Sequence, residues 1–166
     1  MLACHGSLYR YARTLARDPA VAEELVQETY RRALAAKKWP YPPTEECLRP
    51  WLFTIARNHW HNEVHRARAA RFEELDEEIS GESAETPDSL LLRRLLQSEI
   101  RDAVDALPES FREVIVLREI ENLSYEEIAR LLECPVGTVM SRLSRARARL
   151  RRTLAFHAGP REGKPL

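Results

Sequence analysis

The chain of 166 residues carries 26 basic and 26 acidic side chains, and 44% of its residues are hydrophobic. That length accommodates one ordinary domain or two small ones. No apolar run approaches the roughly 18 residues that a membrane span needs, and the first residues lack the layout of a signal peptide. Three cysteines, Cys4, Cys47 and Cys134, form no CxxC pair, which argues against a disulfide framework. These features predict a reduced, cytoplasmic protein.

The neutral total hides a strong segregation of charge along the chain. Residues 1–71 carry a net charge of +5 and residues 136–166 carry +7, whereas residues 72–106 carry −8 and residues 107–135 carry −4. Two basic zones are therefore separated by an acidic middle. Such asymmetry indicates more about binding partners than the overall charge does.

The first helices are predicted from apolar spacing and from capping residues. Residues 2–17 place apolar side chains at helical intervals. Asp18 and Pro19 then have the residue types of an N-cap and of the first helical position, which predicts a second helix that runs to about Lys38. Its apolar side chains are expected to face the core, and they are Val21, Leu25, Ala33 and Leu34.

A proline-rich break separates these helices from a third one. The segment WPYPP at 39–43 cannot continue a helix, because proline lacks the N–H donor and fixes φ. Thr44 is expected to cap the next segment, and Pro50 is expected to restart a long helix, PWLFTIARNHWHNEVHRARAAR. The apolar side chains at helical spacing in that helix are expected to be core, and they are Trp51, Leu52, Ile55 and Ala56.

The pattern as a whole predicts an all-α fold of two small helical domains. Residues 1–71 form the first domain and residues 89–156 the second. Residues 72–88 are acidic, contain Gly, Ser and Pro, and lack an apolar period, so they are expected to form a flexible linker. Residues 157–166 are expected to be a disordered tail.

The second domain contains the pattern of a helix-turn-helix. Ser124 and Glu127 have the spacing of a capping box, which starts a short helix. That helix ends at Cys134 and Pro135, and the proline is expected to open the next helix, with Cys134 as a weak N-cap. A short helix, a tight turn and a longer basic helix together predict a helix-turn-helix.

The basic helix sorts its side chains by angle. With Val136 at zero and 100° per residue, the apolar side chains fall in one arc of about 280–360°, and they are Val139, Leu143, Ala146, Leu150 and Leu154. The polar side chains at about 140–240° are candidates for contact with DNA, and they are Thr138, Ser141, Arg142, Arg145, Arg149 and Arg152. Arg147 and Arg151 lie beside the apolar stripe and are expected to reach phosphates or local acids.

The first half of the basic helix is the half expected to meet base edges, as in other helix-turn-helix proteins. Thr138, Ser141, Arg142 and Arg145 are then nearest to the bases, while Arg149 and Arg152 are expected to contact phosphates. Arginine can bind guanine through two hydrogen bonds, which lysine cannot match. The alternative for such a helix is a solvated basic face with no DNA partner.

Two segments resemble regions of bacterial sigma factors of the extracytoplasmic-function (ECF) group. The resemblance to region 4 lies in the segment LPESFREVIVLREIENLSYEEIARLLECPVGTVMSRLSRARARL. The resemblance to region 2 lies in LYRYARTLARDPAVAEELVQETYRRAL followed by RPWLFTIARNHWHNEVHR. A single helix-turn-helix is weak support for a family, whereas these two matches in this order are specific.

The resemblance implies binding to core RNA polymerase, at its β′ clamp helices and its β flap, and recognition of promoter DNA. The helix with AEELVQETYRRA is similar to the element that docks on the clamp helices. The positions carried over are Glu24, Leu25, Gln27, Glu28 and Arg31. The resemblance further implies control by an anti-sigma factor, often membrane-anchored, without direct membrane insertion of this chain.

The helix after the proline-rich break resembles the element that recognises and melts the −10 region. The residues carried over to DNA binding are Arg57, Asn58, His61, Asn62, His65 and Arg66. In the family, the preceding loop captures a flipped base. That loop runs here from Lys37 to Glu46 and contains Trp39 and Tyr41, and the resemblance does not assign the pocket residue by residue.

This sequence departs from the family pattern at two positions of the basic helix. Met140 stands where a basic residue often precedes Ser-Arg, and Ser144 stands where an aromatic residue is common. The departures leave the −35 sequence open. The N-terminus also begins close to the first helix, which fits a shortened start.

The same residues are compatible with other functions. The main alternative is a stand-alone helix-turn-helix regulator, which leaves AEELVQETYRRA unexplained, and another is an adaptor that binds only proteins. His61 and His65 have a spacing that can bind zinc, but no further ligand group is evident, so no metal site is predicted. Enzyme motifs such as a phosphate loop or nucleophile elbow are absent from the sequence, so neither catalysis nor a cofactor is expected.

Overall fold

The computed structural model describes residues 2–70 and 90–157, and helices account for most of these ranges. A short 3₁₀ turn, Leu2–Cys4, precedes the first α-helix. The α-helices are α1 (His5–Ala16), α2 (Pro19–Ala35), α3 (Glu45–Ala70), α4 (Leu90–Asp105), α5 (Glu109–Ile115), α6 (Tyr125–Leu132) and α7 (Val136–His157). A π-helical segment, Val116–Ile120, continues α5. The all-α prediction is confirmed for the described residues.

The junction between α1 and α2 forms as the sequence predicts. The side chain of Asp18 accepts a hydrogen bond of 3.0 Å from the backbone N–H of Val21, and Pro19 occupies the first helical position. The cap satisfies one of the N–H groups that a helix start leaves unpaired. The helix ends at Ala35 rather than at about Lys38, because Ala36 already has an extended backbone.

The prediction for Pro50 is wrong, because this residue lies inside α3 and does not start a helix. The helix begins five residues earlier, where the carbonyl of Thr44 accepts hydrogen bonds from Cys47 and Leu48 at 3.2 and 2.9 Å. A proline at this point removes one donor, and the carbonyl left without it belongs to Glu46. Glu46 is exposed, so water can satisfy that carbonyl and the helix continues.

The core between α1, α2 and α3 centres on Tyr11, Leu52 and Phe53, each fully buried. The rings of Tyr11 and Phe53 pack with their centroids 4.8 Å apart, a spacing that aromatic pairs favour. Leu25, Ala33, Leu52 and Ala56 are buried as predicted, and Trp51 and Ile55 are half-buried.

Two side chains of α2 that were expected in the core are exposed. Val21 is 39% exposed and Leu34 is 68% exposed. The buried side chains of α2 lie on an arc centred near Ala22 and Thr29. At 100° per residue, Leu34 projects about 120° from the centre of that arc, so an apolar identity alone does not place it inside.

The second group of helices has its own buried face, and it also packs on the first group. Its buried side chains include Leu117, Leu123, Ile128 and Leu143. Helix α1 contacts α5 and the π-helical segment, and α3 contacts α6. The buried side chains of both groups form one continuous cluster.

The linker predicted at 72–88 lies outside the described residues, as does the tail after His157. Within 2–70 and 90–157, none of the helices combines the length and the apolar character that crossing a membrane requires. The cysteines at 4, 47 and 134 are free thiols, and Cys4 is buried.

Candidate nucleic-acid and polymerase interface

The turn between α6 and α7 is fixed by backbone and capping hydrogen bonds. Ser124 and Glu127 form the predicted capping box, with distances of 2.7 and 3.2 Å. At the other end of α6, Glu133 adopts the left-handed conformation with φ 52°. The N–H of Cys134 then donates to the carbonyl of Ala129 at 3.0 Å. The chain therefore leaves α6 through a tight turn.

Helix α7 begins one residue later than predicted, at Val136 rather than Pro135. The carbonyl of Pro135 accepts hydrogen bonds from Thr138 and Val139 at 2.9 and 3.3 Å, so Pro135 precedes the helix as its cap. A difference of one residue at a helix end leaves the angular order of the side chains unchanged. The helix-turn-helix geometry is thus as the sequence predicts.

The buried face of α7 consists of Val139, Leu143 and Ala146, each at most 1% exposed. Leu150 and Leu154 are half-buried. On the rotation used above, the centre of the buried side chains lies near 305°, so the most exposed direction lies near about 125°. The apolar stripe is confirmed, and it holds the helix to its domain.

The residues predicted to contact the −35 element differ in exposure. Ser141, Arg145, Arg149 and Arg152 are exposed, whereas Thr138 and Arg142 are half-buried. The guanidinium of Arg149 lies over the ring of Phe111, 5.1 Å from its centroid, which turns it towards α5. Ser141 and Arg152 lie closest to the outward direction, and Arg145 is next. The assignment of all six to DNA stays a prediction.

Arg147 binds a local acid, one of the two partners expected for it. Its Nε and terminal nitrogen donate to one carboxylate oxygen of Glu119 at 3.1 and 2.5 Å. This carboxylate raises the pKa of Arg147 above its ordinary value. The pair joins α7 to the π-helical segment.

A surface groove of about 660 Å³ runs between α2 and α3. All five residues predicted to contact polymerase line it, and they are Glu24, Leu25, Gln27, Glu28 and Arg31. The opposite wall includes His59, Trp60 and Glu63. Leu25 is 4% exposed and forms part of the floor. The groove combines an apolar floor with a charged rim.

Glu28 holds two arginines on the rim of this groove. Its carboxylate accepts two hydrogen bonds from Arg31, at 2.6 and 2.7 Å, and one from Arg32 at 2.6 Å. These hydrogen bonds lower the pKa of Glu28 to about 2. The spacings i,i+3 and i,i+4 place the three side chains on one helix face. The rim is therefore an ordered charge cluster.

Among the described side chains predicted to bind the −10 element, Arg57 points in a different direction from Asn58 and Asn62. Asn58 and Asn62 are exposed one turn apart on α3, and His61 is half-buried. Arg57 instead points to the second group of helices. Its Nε lies 3.4 Å from a carboxylate oxygen of Glu113, and a terminal nitrogen lies 3.5 Å from the carbonyl of Leu131. The side chains of His65 and Arg66 lie outside the described part of the chain.

The contact between the two groups of helices is built around buried acids, which sequence reasoning missed. The hydroxyl of Tyr11 donates to Glu113 at 2.8 Å, and both side chains are buried. Burial raises the pKa of Glu113, and Arg57 and the Tyr11 hydrogen bond oppose that shift. Burial and the nearby carboxylate raise the pKa of Tyr11 well above its ordinary value.

Glu121 makes the second acidic contact between the two groups and is 1% exposed. Arg10 donates to it at 2.9 Å, and a nitrogen of Arg49 lies 4.0 Å from its other oxygen. Nearby, the guanidinium of Arg112 donates to the carbonyl of Thr14 at 3.0 Å. The sequence feature that could have indicated these buried acidic contacts is the presence of acidic residues inside the apolar run FREVIVLREIENL.

The loop before α3 carries an exposed aromatic side chain. Tyr41 is 93% exposed, and Trp39 is 40% exposed and packs on Trp51 with ring centroids 5.6 Å apart.

Among the described residues, no group of three or more His, Cys, Asp or Glu side chains is arranged to hold a metal ion.

Two family models match this chain in series. The sigma-70 region 2 model matches residues 1–70, and the model for sigma-70, region 4 matches residues 97–150. The first match covers α1, α2 and α3, and the second covers the helix-turn-helix.

Curated relatives and solved structures agree with these matches. The ECF RNA polymerase sigma factor SigE of Mycolicibacterium smegmatis is 37% identical over 153 residues, which cover 91% of this chain and 58% of SigE. The ECF RNA polymerase sigma factor EcfG of Rhodopseudomonas palustris is 36% identical, over 90% of this chain and 80% of EcfG. Sigma factor RpoE from Bartonella quintana, solved with the anti-sigma factor NepR, is 30% identical with a TM-score of 0.71 and 93% coverage of both chains. The structure of CnrH with the cytosolic domain of CnrY is 30% identical with a TM-score of 0.60, over 93% of this chain and 84% of that chain. This chain therefore belongs to the family of extracytoplasmic-function RNA polymerase sigma factors.

Proposed function

We propose that this chain is an alternative sigma factor that binds core RNA polymerase, recognises −35 and −10 promoter elements and helps to open promoter DNA. The observation that carries the proposal is the order of the two sigma-70 regions on one chain, at 1–70 and 97–150. A stand-alone regulator needs only the second region. The proposed domains are residues 1–71 for polymerase and the −10 element and residues 89–156 for the −35 element, with 72–88 as the linker.

The proposed −35 reader is the outer face of α7. It presents exposed Ser141 and Arg145 away from the buried stripe. Insertion of this helix into a major groove places its first turns at base edges. The remaining predicted contacts are Thr138, Arg142, Arg149 and Arg152, of which Arg149 and Arg152 are assigned to phosphates.

The proposed polymerase-binding site is the groove between α2 and α3. Its apolar floor at Leu25 and its charged rim at Glu24 and Arg31 suit a protein partner with both apolar and charged side chains. The partner carried over from the family is the pair of β′ clamp helices, while the second domain is assigned to the β flap.

The proposed −10 reader is the exposed side of α3 with the preceding loop. Asn58 and Asn62 supply amide groups one turn apart, and exposed Tyr41 supplies an aromatic face. Unpaired bases bind proteins through stacking and through polar contacts to their edges. His61, His65, Arg57 and Arg66 complete the proposed set, and Arg57 must leave Glu113 to join it.

An anti-sigma factor, membrane-anchored in the manner common to the family, completes the proposed partners, and the cytoplasm is the proposed place of action. The support is that RpoE and CnrH were solved with NepR and with the cytosolic domain of CnrY. Neither a catalytic step of its own nor a cofactor is part of the proposal.

Run-off transcription tests the proposed function. The full chain is mixed with purified core polymerase and a library of promoter templates, and binding to core is measured in parallel. We expect a stable complex and initiation from a defined subset of templates. Absence of both core binding and initiation overturns the proposal, and specific duplex binding without core favours a stand-alone regulator.

A further inference from the structure

Met140 is an exposed apolar side chain on the helix that presents polar residues to solvent. It is 53% exposed and directly precedes exposed Ser141. On the α-helical rotation, Met140 projects about 95° from the centre of the buried stripe. It therefore lies at the border of the outward face, in the first turns of α7. The core beneath this part of α7 is filled by Val139 and Leu143, each at most 1% exposed.

The neighbours of Met140 leave the end of its side chain accessible to a planar ligand. Gly137, one turn earlier, has no atom within 4 Å of the position where a side chain would begin. Ser144, one turn later, is small and exposed. On its inner side Met140 borders a shallow groove of about 250 Å³ with Tyr125 and Arg147, and Arg147 is held by Glu119. A long, adaptable thioether thus stands between two short neighbours.

We propose that Met140 recognises a thymine in the −35 element through apolar contact with the C5-methyl group. The proposal rests on the proposed function, because it requires α7 to enter a promoter major groove. Base edges there present hydrogen-bond donors and acceptors, and thymine adds the methyl group. The thioether of Met140 is a poor hydrogen-bond partner for these base edges. An apolar side chain that covers their donors and acceptors leaves them unpaired. A thymine methyl is the base feature that an exposed methionine matches.

Removal of single methyl groups tests this assignment. Holoenzyme assembled from the full chain and core polymerase selects from duplexes with a randomised −35 element. The selected duplex is then resynthesised with deoxyuridine in place of each thymidine in turn. We expect one such replacement to weaken binding about fourfold, the effect of losing one buried methyl group. The other replacements should have little effect.

Substitutions at Met140 assign the effect to this side chain. Met140→Ala should bind the thymidine and deoxyuridine duplexes equally, while Met140→Leu should keep the discrimination. Circular dichroism and thermal unfolding verify that both variants fold, which exposure of the side chain leads us to expect. Met140→Ala holoenzyme that still discriminates by about fourfold shows that another residue contacts the methyl group and overturns the proposal.

The result also separates the two levels of inference. Selection of a defined −35 element with no response to any deoxyuridine refutes the role of Met140 and leaves the sigma function standing. Failure of the holoenzyme to select any sequence contradicts the proposed function itself.

Discussion

The Nε atom of Arg57 in α3 lies 3.4 Å from a carboxylate oxygen of Glu113 in α5. The same carboxylate accepts a hydrogen bond from Tyr11 in α1 at 2.8 Å. Glu113 is 3% exposed, so these two side chains replace the water that a carboxylate otherwise binds. One acidic residue of the second group of helices therefore depends on two residues of the first.

Tyr11→Phe should lower the free energy of unfolding by about 1–3 kcal/mol, because it removes a donor from a buried carboxylate. Urea unfolding followed by circular dichroism measures this change. Tyr9→Phe is the matched control, since it makes the same chemical change at a half-buried position. Equal effects of the two substitutions would show that the Tyr11 hydroxyl does not support Glu113.

Glu113 should make the stability of the protein depend on pH above 4.5. Burial raises its pKa above the ordinary value of 4.5, so the folded state binds this proton more tightly than the unfolded state. Its contribution to stability is then fully present below pH 4.5 and is lost as the pH rises through the folded pKa.

The variant Glu113→Gln isolates this contribution. The free energy of unfolding of the wild type minus that of the variant should fall as the pH is raised from 4.5 to 8. Hydrogen bonds from Arg31 and Arg32 lower the pKa of Glu28 to about 2, so this carboxylate stays ionised throughout the window. A difference that stays constant or rises with pH would contradict the raised pKa of Glu113.

Arg145→Ala should weaken promoter binding by the holoenzyme by about 1–3 kcal/mol and relax sequence preference at one position. Arg145 is exposed on the outer side of α7. Arg147→Ala is the control, because that guanidinium is bound to Glu119 and should matter less to DNA. Competition binding with single-base variants of the promoter measures both effects. A larger loss with Arg147→Ala would mean that a different face of α7 meets DNA.

Glu24→Lys should reduce binding to core polymerase by at least about tenfold, since it reverses a charge on the rim of the groove between α2 and α3. Glu23→Lys is the matched control, because Glu23 is the exposed neighbour that does not line the groove. Fluorescence anisotropy of the labelled chain with core polymerase gives both affinities. Comparable losses would indicate a general charge effect rather than contact in the groove.

Glu133→Gly should stabilise the helix-turn-helix by roughly 0.5–1 kcal/mol. The left-handed backbone at φ 52° disfavours a side chain by about 1–2 kcal/mol, and the flexibility of glycine in the unfolded chain offsets part of that gain. Glu126→Gly, inside α6, should instead destabilise by about 1 kcal/mol. Thermal unfolding distinguishes the two substitutions, which should shift the midpoint in opposite directions.

Local chemistry made much of this fold predictable. The Asp18 cap, the capping box of Ser124 and Glu127, and the buried stripe of α7 depend on residues within a few positions of one another. The prediction for Pro50 is wrong because the carbonyl that loses its donor lies in an exposed first turn of α3, where water can replace the donor. The prediction for Leu34 is wrong because burial depends on helix rotation, which an apolar identity does not reveal.

The contact between the two groups of helices could not be predicted in the same way. Tyr11 and Glu113 are far apart in sequence, and an acidic residue in an apolar run is compatible with either a surface or a buried pair. Contacts between residues far apart along the chain decide which of the two is realised.

The proposed role of Arg57 at the −10 element makes domain packing and DNA binding competing equilibria, because its guanidinium lies against Glu113. A phosphate or base that takes the guanidinium must first displace the carboxylate, so both cannot be bound to it at once. This competition is reciprocal. A change that stabilises the contact between Arg57 and Glu113 weakens ligand binding at Arg57 by the same factor. On the proposed function, the apparent affinity for the −10 element then scales with the fraction of molecules in which Arg57 has left Glu113.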